Sequence, residues 1–172
     1  MKIFKFLAAA AIVLAACESP YRATNTTVYL APEGIRTSFV TQYPTATNVV
    51  WSHYDPAVVS IVDWELNGWQ PLNEADYTVK FVVDNEDYYG YYDDNGDWVG
   101  TVYSVRDYHT MPVVVNDLIT TRYPGYTITT VNKEFQKDRV TYEVELKNSD
   151  TKVKLLVDGN GNIIKERSKS LY

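Results

Sequence analysis

The sequence predicts an α+β fold built as two tandem units, each a single helix packed on an antiparallel β-sheet of about four strands. Three observations carry this reading. A proline-bracketed helical pattern occurs twice, 80 residues apart. Strand-like alternation, rich in β-branched and aromatic residues, follows each helix. Each copy then reaches an Asn-Gly turn, inside Asp93–Asp97 and inside Asp158–Asn162. A parallel α/β chain would need a helix between successive strands, and only two helical patterns are present.

The chain opens on MKIFKFLAAAAIVLAA. Lys2 and Lys5 make a positive start, and Phe6 to Ala16 form an uncharged apolar run. At ~1.5 Å per residue that run spans about half of a ~30 Å hydrocarbon core, too short to cross it as a helix. Residues 1–16 therefore read as a signal peptide. Leu14-Ala15-Ala16-Cys17 resembles the bacterial lipobox, in which the cysteine is diacylated and becomes the mature N-terminus. Cys17 is the one cysteine in the chain, so acylation would leave no thiol for disulfides, catalysis or metal binding. Glu18 follows it where enterobacterial lipoproteins kept in the inner membrane carry Asp, which by resemblance implies sorting to the outer membrane. Residues 17–31 are polar, Thr-rich and aperiodic, and read as a lipidated tether of at most ~45 Å.

Charge narrows the function classes. The chain has 16 basic and 22 acidic residues, and removing Lys2 and Lys5 leaves 14 against 22, a formal charge of −8. That balance argues against nucleic acid, whose phosphates require basic surfaces. It argues equally against docking on anionic lipid, so membrane attachment would run through the N-terminal lipid alone. The remaining 156 residues suffice for a core without disulfides.

The first unit, residues 32–108, opens with PEGIRTSFVTQYPTAT, and the second, 109–172, carries PVVVNDLITTRYPGYT from Pro112. Pro32 matches Pro112, Ile35 matches Val115, Phe39 matches Ile119, and Tyr43-Pro44 matches Tyr123-Pro124. Apolar residues at i, i+4 and i+8 mark one helical face, and flanking prolines start and stop each helix after about three turns. Phe39 and Ile119 are the expected anchors. Thr78–Val83 then aligns with Thr141–Leu146, with Val79, Phe81 and Val83 on one strand face and Tyr142, Val144 and Leu146 on its equivalent. The offset falls from 80 to 63 and then 65, so the first copy holds a 17-residue insertion between Asp55 and Tyr77 that contains Trp64 and Trp69.

YPTATNVVW (43–51), YTVKFVV (77–83) and YYDDNGDWV (91–99) together resemble the β-lactamase-inhibitor-like, PepSY-like family of bacterial envelope lipoproteins. MPVVVNDLITTRYPGY (111–126), VTYEVELKN (140–148) and VDGNGNII (157–164) repeat the likeness, which covers nearly all of residues 32–172. The resemblance implies tandem helix-plus-four-strand units and a concave, aromatic-rich sheet face that grips a protein target. Fold likeness alone does not carry function across.

Motifs for catalysis are missing. Ser52, His53 and Asp55 lie close in sequence, but neighbours along a strand face opposite ways, so Ser52 and His53 would not meet. His109 sits in no motif. The acidic runs Asp84, Glu86, Asp87 and Asp93, Asp94, Asp97 fail as a calcium loop, because the sixth position from Asp93 is Trp98 and the twelfth is Ser104. They read as solvated turn residues. No cofactor and no metal is expected.

The aromatic hairpin remains. A two-residue Asn95-Gly96 turn would pair Tyr91 with Gly100, Tyr89 with Val102 and Asp93 with Trp98, putting Tyr89, Tyr91 and Trp98 on one face with Gly100 a flat spot beneath. That face should be partly exposed and point away from the helix. A bulge at Gly90 would break the set. Tyr89, Tyr91, Trp98 and Gly100 are thus the candidate partner-binding residues, in amphipathic side chains typical of interface hot spots. The functional expectation is a non-enzymatic, monomeric, lipid-anchored envelope protein, periplasmic or surface-facing. It would hold a protein or peptide, with inhibition of a hydrolase as one form of such binding. A glycan or small-ligand module is the alternative.

Replacing Cys17 with Ser should leave the protein uncleaved or soluble. Fractionation of cells into membrane and soluble pools checks this, and an unchanged membrane fraction would refute the lipid anchor.

Overall fold

Helix α1 (Glu33–Gln42) forms where the sequence places it, with Pro32 at its N-terminal cap and Tyr43 at its C-terminal one. The computed structural model describes residues 30–58 and 60–172, so the signal peptide, Cys17 and most of the tether lie outside the described residues. Four strands follow α1: β1 (Thr47–His53), β2 (Tyr77–Val83), β3 (Glu86–Tyr92) and β4 (Trp98–Ser104). A one-turn helix, α2 (Trp64–Asn67), lies between β1 and β2. Helix α3 (Val113–Arg122), capped by Pro112 and Tyr123, then precedes β5 (Thr127–Gln136), β6 (Arg139–Lys147), β7 (Thr151–Asp158) and β8 (Ile163–Ser170). All eight strands join one antiparallel sheet in sequence order, with β4 paired to β5 from Thr101↔Phe135 to Ser104↔Asn132.

Both long helices present their i and i+4 residues to hydrophobic clusters on the sheet. Ile35 and Phe39 are buried with Val79, Phe81 and Tyr92, and Ala31 joins them. The Phe39 ring meets Phe81 edge-on at 4.9 Å and Trp51 at 5.4 Å. Val115 and Ile119 are buried with Val131, Tyr142, Val144, Leu146, Val153, Leu155 and Val157. The expected in-facing sets therefore reach the helices, although Val83 sits at the margin of its cluster and is only partly buried.

The hairpin turns differ from expectation in one respect that matters below. Asp93 N–H donates to the Asp97 carbonyl at 3.0 Å and Gly96 N–H to the Asp93 carbonyl at 3.0 Å, so three residues, 94–96, make the loop between them and not two. Of Asn95 and Gly96, the glycine alone takes positive φ, at +92°. The Asp93 carboxylate accepts from Asn95 and Asp97 N–H at 3.0 and 2.8 Å, which stabilises this longer turn locally. Asp158–Asn162 repeats the arrangement, with Gly161 at φ +82° and the Asp158 carboxylate accepting from Asn160 and Asn162 N–H, both at 2.9 Å. Each such turn sits beside a bulge, between Tyr91 and Tyr92 in one hairpin and between Leu156 and Val157 in the other.

Truncating Phe39 to Ala should destabilise the fold by about 3–5 kcal/mol, because the ring is fully buried among aromatic neighbours with no room to collapse. Urea unfolding followed by far-UV circular dichroism measures this. A loss below about 1 kcal/mol would contradict the packing described.

Candidate functional site

The sheet has a second face, away from α1 and α3, and residues 54–58 and 60–76 cross it as a strap. Its ends are tied at Tyr54, whose N–H donates to the Asp76 carbonyl at 2.8 Å. The buried Asp76 carboxylate accepts from Asn73 N–H at 2.6 Å and from Asp94 N–H at 2.8 Å, fastening the strap to the β3–β4 turn. Within it, Asp63 caps α2 by accepting from Leu66 N–H at 3.1 Å, and Gly68 ends the helix in the left-handed region at φ +70°. Two tryptophans on this short frame point at the sheet. Trp69 is buried, and its ring lies where a side chain at Gly100 would go: a Cβ there would stand 2.5–2.8 Å from three ring carbons. Trp64 meets Tyr91 edge-on at 5.4 Å and Trp69 at 5.8 Å.

The four residues expected to form the contact surface are therefore distributed differently. Tyr89 and Tyr91 do share the face away from the long helices, and their partners are Val102 and Gly100 as the register required. Tyr91, however, is only 3% exposed. The strap covers it, its hydroxyl lies 3.3 Å from Ser60 Oγ, and burial pushes that hydroxyl up to about 12. Gly100 is likewise buried, under Trp69. Trp98 is on the opposite face: the bulge pairs it with Tyr92, and it packs in the α1 cluster with its indole N–H donating to Thr101 Oγ1 at 3.0 Å. The one extra loop residue shifted its side by one step, the parity reversal that a bulge produces.

What stays open is a cleft of about 270 Å³ beside the strap, over β1–β3. Ser52, Tyr54, Asp55, Ser60, Lys80 and Tyr89 are among the side chains around it. Tyr89 is half-buried, and the Lys80 ammonium lies 5.7 Å from the centre of its ring, a cation–π contact. Ser52 and His53 alternate on β1, opposite Thr78 and Tyr77, as a strand requires. Among the described residues no group of three or more His, Cys, Asp or Glu is arranged to hold a metal.

Over β5–β8 the same face is polar, and the strap reaches it through charged groups that sequence reasoning missed. Asp63 Oδ2 lies 2.8 Å from Lys154 Nζ and 2.6 Å from Arg167 Nη2, and Glu65 lies 2.7 Å from Arg167 Nη1. Burial alone would raise the Asp63 carboxyl, but the hydrogen bond and charge of Lys154, with Leu66 N–H and Arg167, hold it below the usual carboxylate range. Asp63 N–H also donates to Glu143 at 3.2 Å, and Asn132 donates to the Ile61 carbonyl at 2.8 Å. Beneath these contacts Glu134 is 1% exposed, with Thr141 donating to it at 3.2 Å. Burial, reinforced by the nearby Glu143 charge, raises the Glu134 carboxyl to about 8. Burial also raises Glu143, against the pull of Lys154. The sequence did carry a signal for this network: an insertion of alternating acids and tryptophans, opposite strands whose outward residues are polar.

A family described as "Putative beta-lactamase-inhibitor-like, PepSY-like" matches residues 75–165, just over half of the chain. The chain belongs to this family. Solved structures agree on the fold of this PepSY-like protein. A BLIP-like protein from Bacteroides fragilis is similar with a TM-score of 0.63 at 18% identity, over 83% of this chain and 89% of that one. A DUF2874 family protein from Bacteroides uniformis is similar at 0.61 and 23% identity, over 83% and 91%. A structure from Bacteroides eggerthii described as "putative periplasmic proteins" is similar at 0.61 and 14% identity, over 81% and 90%. No curated protein matches the chain.

The buried acid of this PepSY-like sheet sets a pH dependence. A folded-state pKa near 8, raised from the ordinary glutamate value, gives stability that is fully present below about 4.5 and lost as pH rises through about 8. Glu134→Gln should therefore be close to neutral in thermal stability at pH 5 and clearly stabilising relative to the native chain at pH 9. Melting curves of both proteins across this range test it. A gap that is the same at both ends would mean that Glu134 does not titrate as its burial dictates.

Proposed function

We propose that this protein is a non-enzymatic binding protein of the bacterial cell envelope, held at the outer membrane through a lipid on Cys17. It grips a protein or peptide partner on the sheet face away from α1 and α3. The observation that carries this reading is the cleft beside the strap, where Tyr54 and Tyr89 line an opening with Lys80 at its edge. Partly exposed tyrosines are suited to such contacts, since each offers a large apolar surface and a polar tip at low entropic cost. Membership of an inhibitor-like family supports a binding role over catalysis, with inhibition of a hydrolase as one form of it. The periplasmic description of the Bacteroides eggerthii neighbour is consistent with an envelope address. In this reading each long helix with its four following strands is one copy of a repeated unit, in a monomeric chain.

The revised contact set drops Trp98 and places Tyr91 and Gly100 beneath the strap, leaving Tyr89 as the accessible member. A glycan is the second reading, favoured by the hydroxyls of Ser52 and Ser60 and the Asp55 carboxylate beside the two tyrosines. Affinity capture from detergent-solubilised envelope, comparing the native chain with Tyr89→Ala, separates the readings. The native chain should retain a protein partner, and Tyr89→Ala should retain at least tenfold less, as for an interface hot spot. Retention of soluble glycan alone would replace the first reading with the second.

A further inference from the structure

Lys147, Lys152 and Lys169 stand in one cross-strand row on β6, β7 and β8, each directly opposite the next. Like charges placed this way destabilise a sheet. The neighbouring row, Glu145, Lys154 and Arg167, adds two more cations on the same face. Lys152, Lys154, Arg167 and Lys169 together line a pocket of about 290 Å³ whose one carboxylate is Asp63 of the strap. Glu145 pairs with Lys152 at 2.7 Å from the side. Among the described residues neither Lys147 nor Lys169 has an ion-pair partner. In a chain of net charge −6 this concentration of cations is a local inversion of the whole molecule's field.

The strap shows what the cations accept. Its acidic turn, Asp63-Trp64-Glu65, sets carboxylates on Lys154 and Arg167, and the Lys165 ammonium donates to the Glu65 carbonyl. A piece of acidic peptide thus already occupies one row, whereas the lysine row next to it has Glu145 on Lys152 alone. The row also suits a peptide. Neighbouring strands stand about 4.8 Å apart, so Lys147 and Lys169 lie on either side of Lys152 across the sheet. Carboxylates spread along a peptide can meet both ends of that row, whereas a single phosphate meets one.

We infer that the Lys147–Lys152–Lys169 row, at the side of the Lys152–Lys154–Arg167–Lys169 pocket, is a docking site for an extended acidic peptide of a partner protein, lying alongside the strap. This rests on the reading that the face away from the long helices is the contact face, but not on the cleft at Tyr89. The lysine row is then tolerated because a ligand neutralises it.

Calorimetric titration of the full-length, detergent-solubilised protein with octaglutamate tests the site. Octaglutamate should bind saturably, Lys152→Gln/Lys169→Gln should weaken it at least tenfold, and Lys169→Gln alone should weaken it measurably without disturbing the Glu145 pair. Arg36→Gln/Lys137→Gln removes two charges elsewhere and should change affinity less than twofold, and Tyr89→Ala should leave it unchanged. Equal weakening by both double variants would overturn the proposal, as unspecific attraction. So would the absence of saturable binding, or tighter binding of inorganic phosphate or glycerol phosphate than of octaglutamate. If envelope capture retains a partner equally on Tyr89→Ala but loses it on Lys152→Gln/Lys169→Gln, the cleft reading fails and the peptide site stands.

Discussion

Eight antiparallel strands paired in sequence order leave two faces to be covered, and two ten-residue helices reach only one of them. A sheet face is stable when it is buried against apolar groups or hydrated through polar ones. This chain uses both solutions on its second face, divided along the sheet. Over β3 and β4 the outward ring of Tyr91 and the bare backbone of Gly100 demand a cover, and the strap supplies it with Trp64 and Trp69. Over β6 to β8 most outward residues are charged, and the strap covers only the inner ones, Glu143 and Leu156 among the buried. The strap passes from one regime to the other within a few residues, apolar at its tryptophans and ionic at Asp63 and Glu65.

That transition accounts for the buried acids. Where the strap crosses the polar half of the sheet, it seals Glu134 and Glu143 from water, and its Asp63 N–H joins Lys154 of β7 at Glu143. A charged carboxylate in such surroundings is costly, and the lower-energy response is to hold a proton. Glu134 has the stronger case, being buried beside another acid, and Glu143 keeps a cationic neighbour. The strap is consequently held by a mixture of forces with different dependences. Its aromatic contacts persist at any pH, whereas its ion pairs to Lys154 and Arg167 weaken with salt.

The edges of the sheet follow separate rules. β8 carries Lys165, Glu166, Arg167 and Lys169, the kind of charged edge that discourages pairing with other chains. β1 is apolar at Val49 and Val50, and its protection comes from irregularity: Asn48 adopts a positive φ of 52° and the register shifts between Thr47 and Val50. The cleft lies against this less guarded edge.

Periodicity made the helices, the in-facing strand residues and the pairing of Tyr91 with Gly100 legible in the sequence, because these depend on spacing within a few residues. The glycines of both Asp-Asn-Gly-type turns were legible for the same reason. The side taken by Trp98 was not, since it hinged on whether the Asp93 carboxylate would extend the turn, a competition of small local energies. Nor could the sequence place the insertion. Trp64 and Trp69 were visible as an aromatic pair within it, but their target was a face that exists only once β3 and β4 are paired. The ion pairs of Asp63 with Lys154 and Arg167 join residues about a hundred positions apart, and only the closed sheet brings them within reach. Local chemistry therefore determined the elements, and tertiary structure decided which of their surfaces remained open, because exposure is a property of everything packed above a residue.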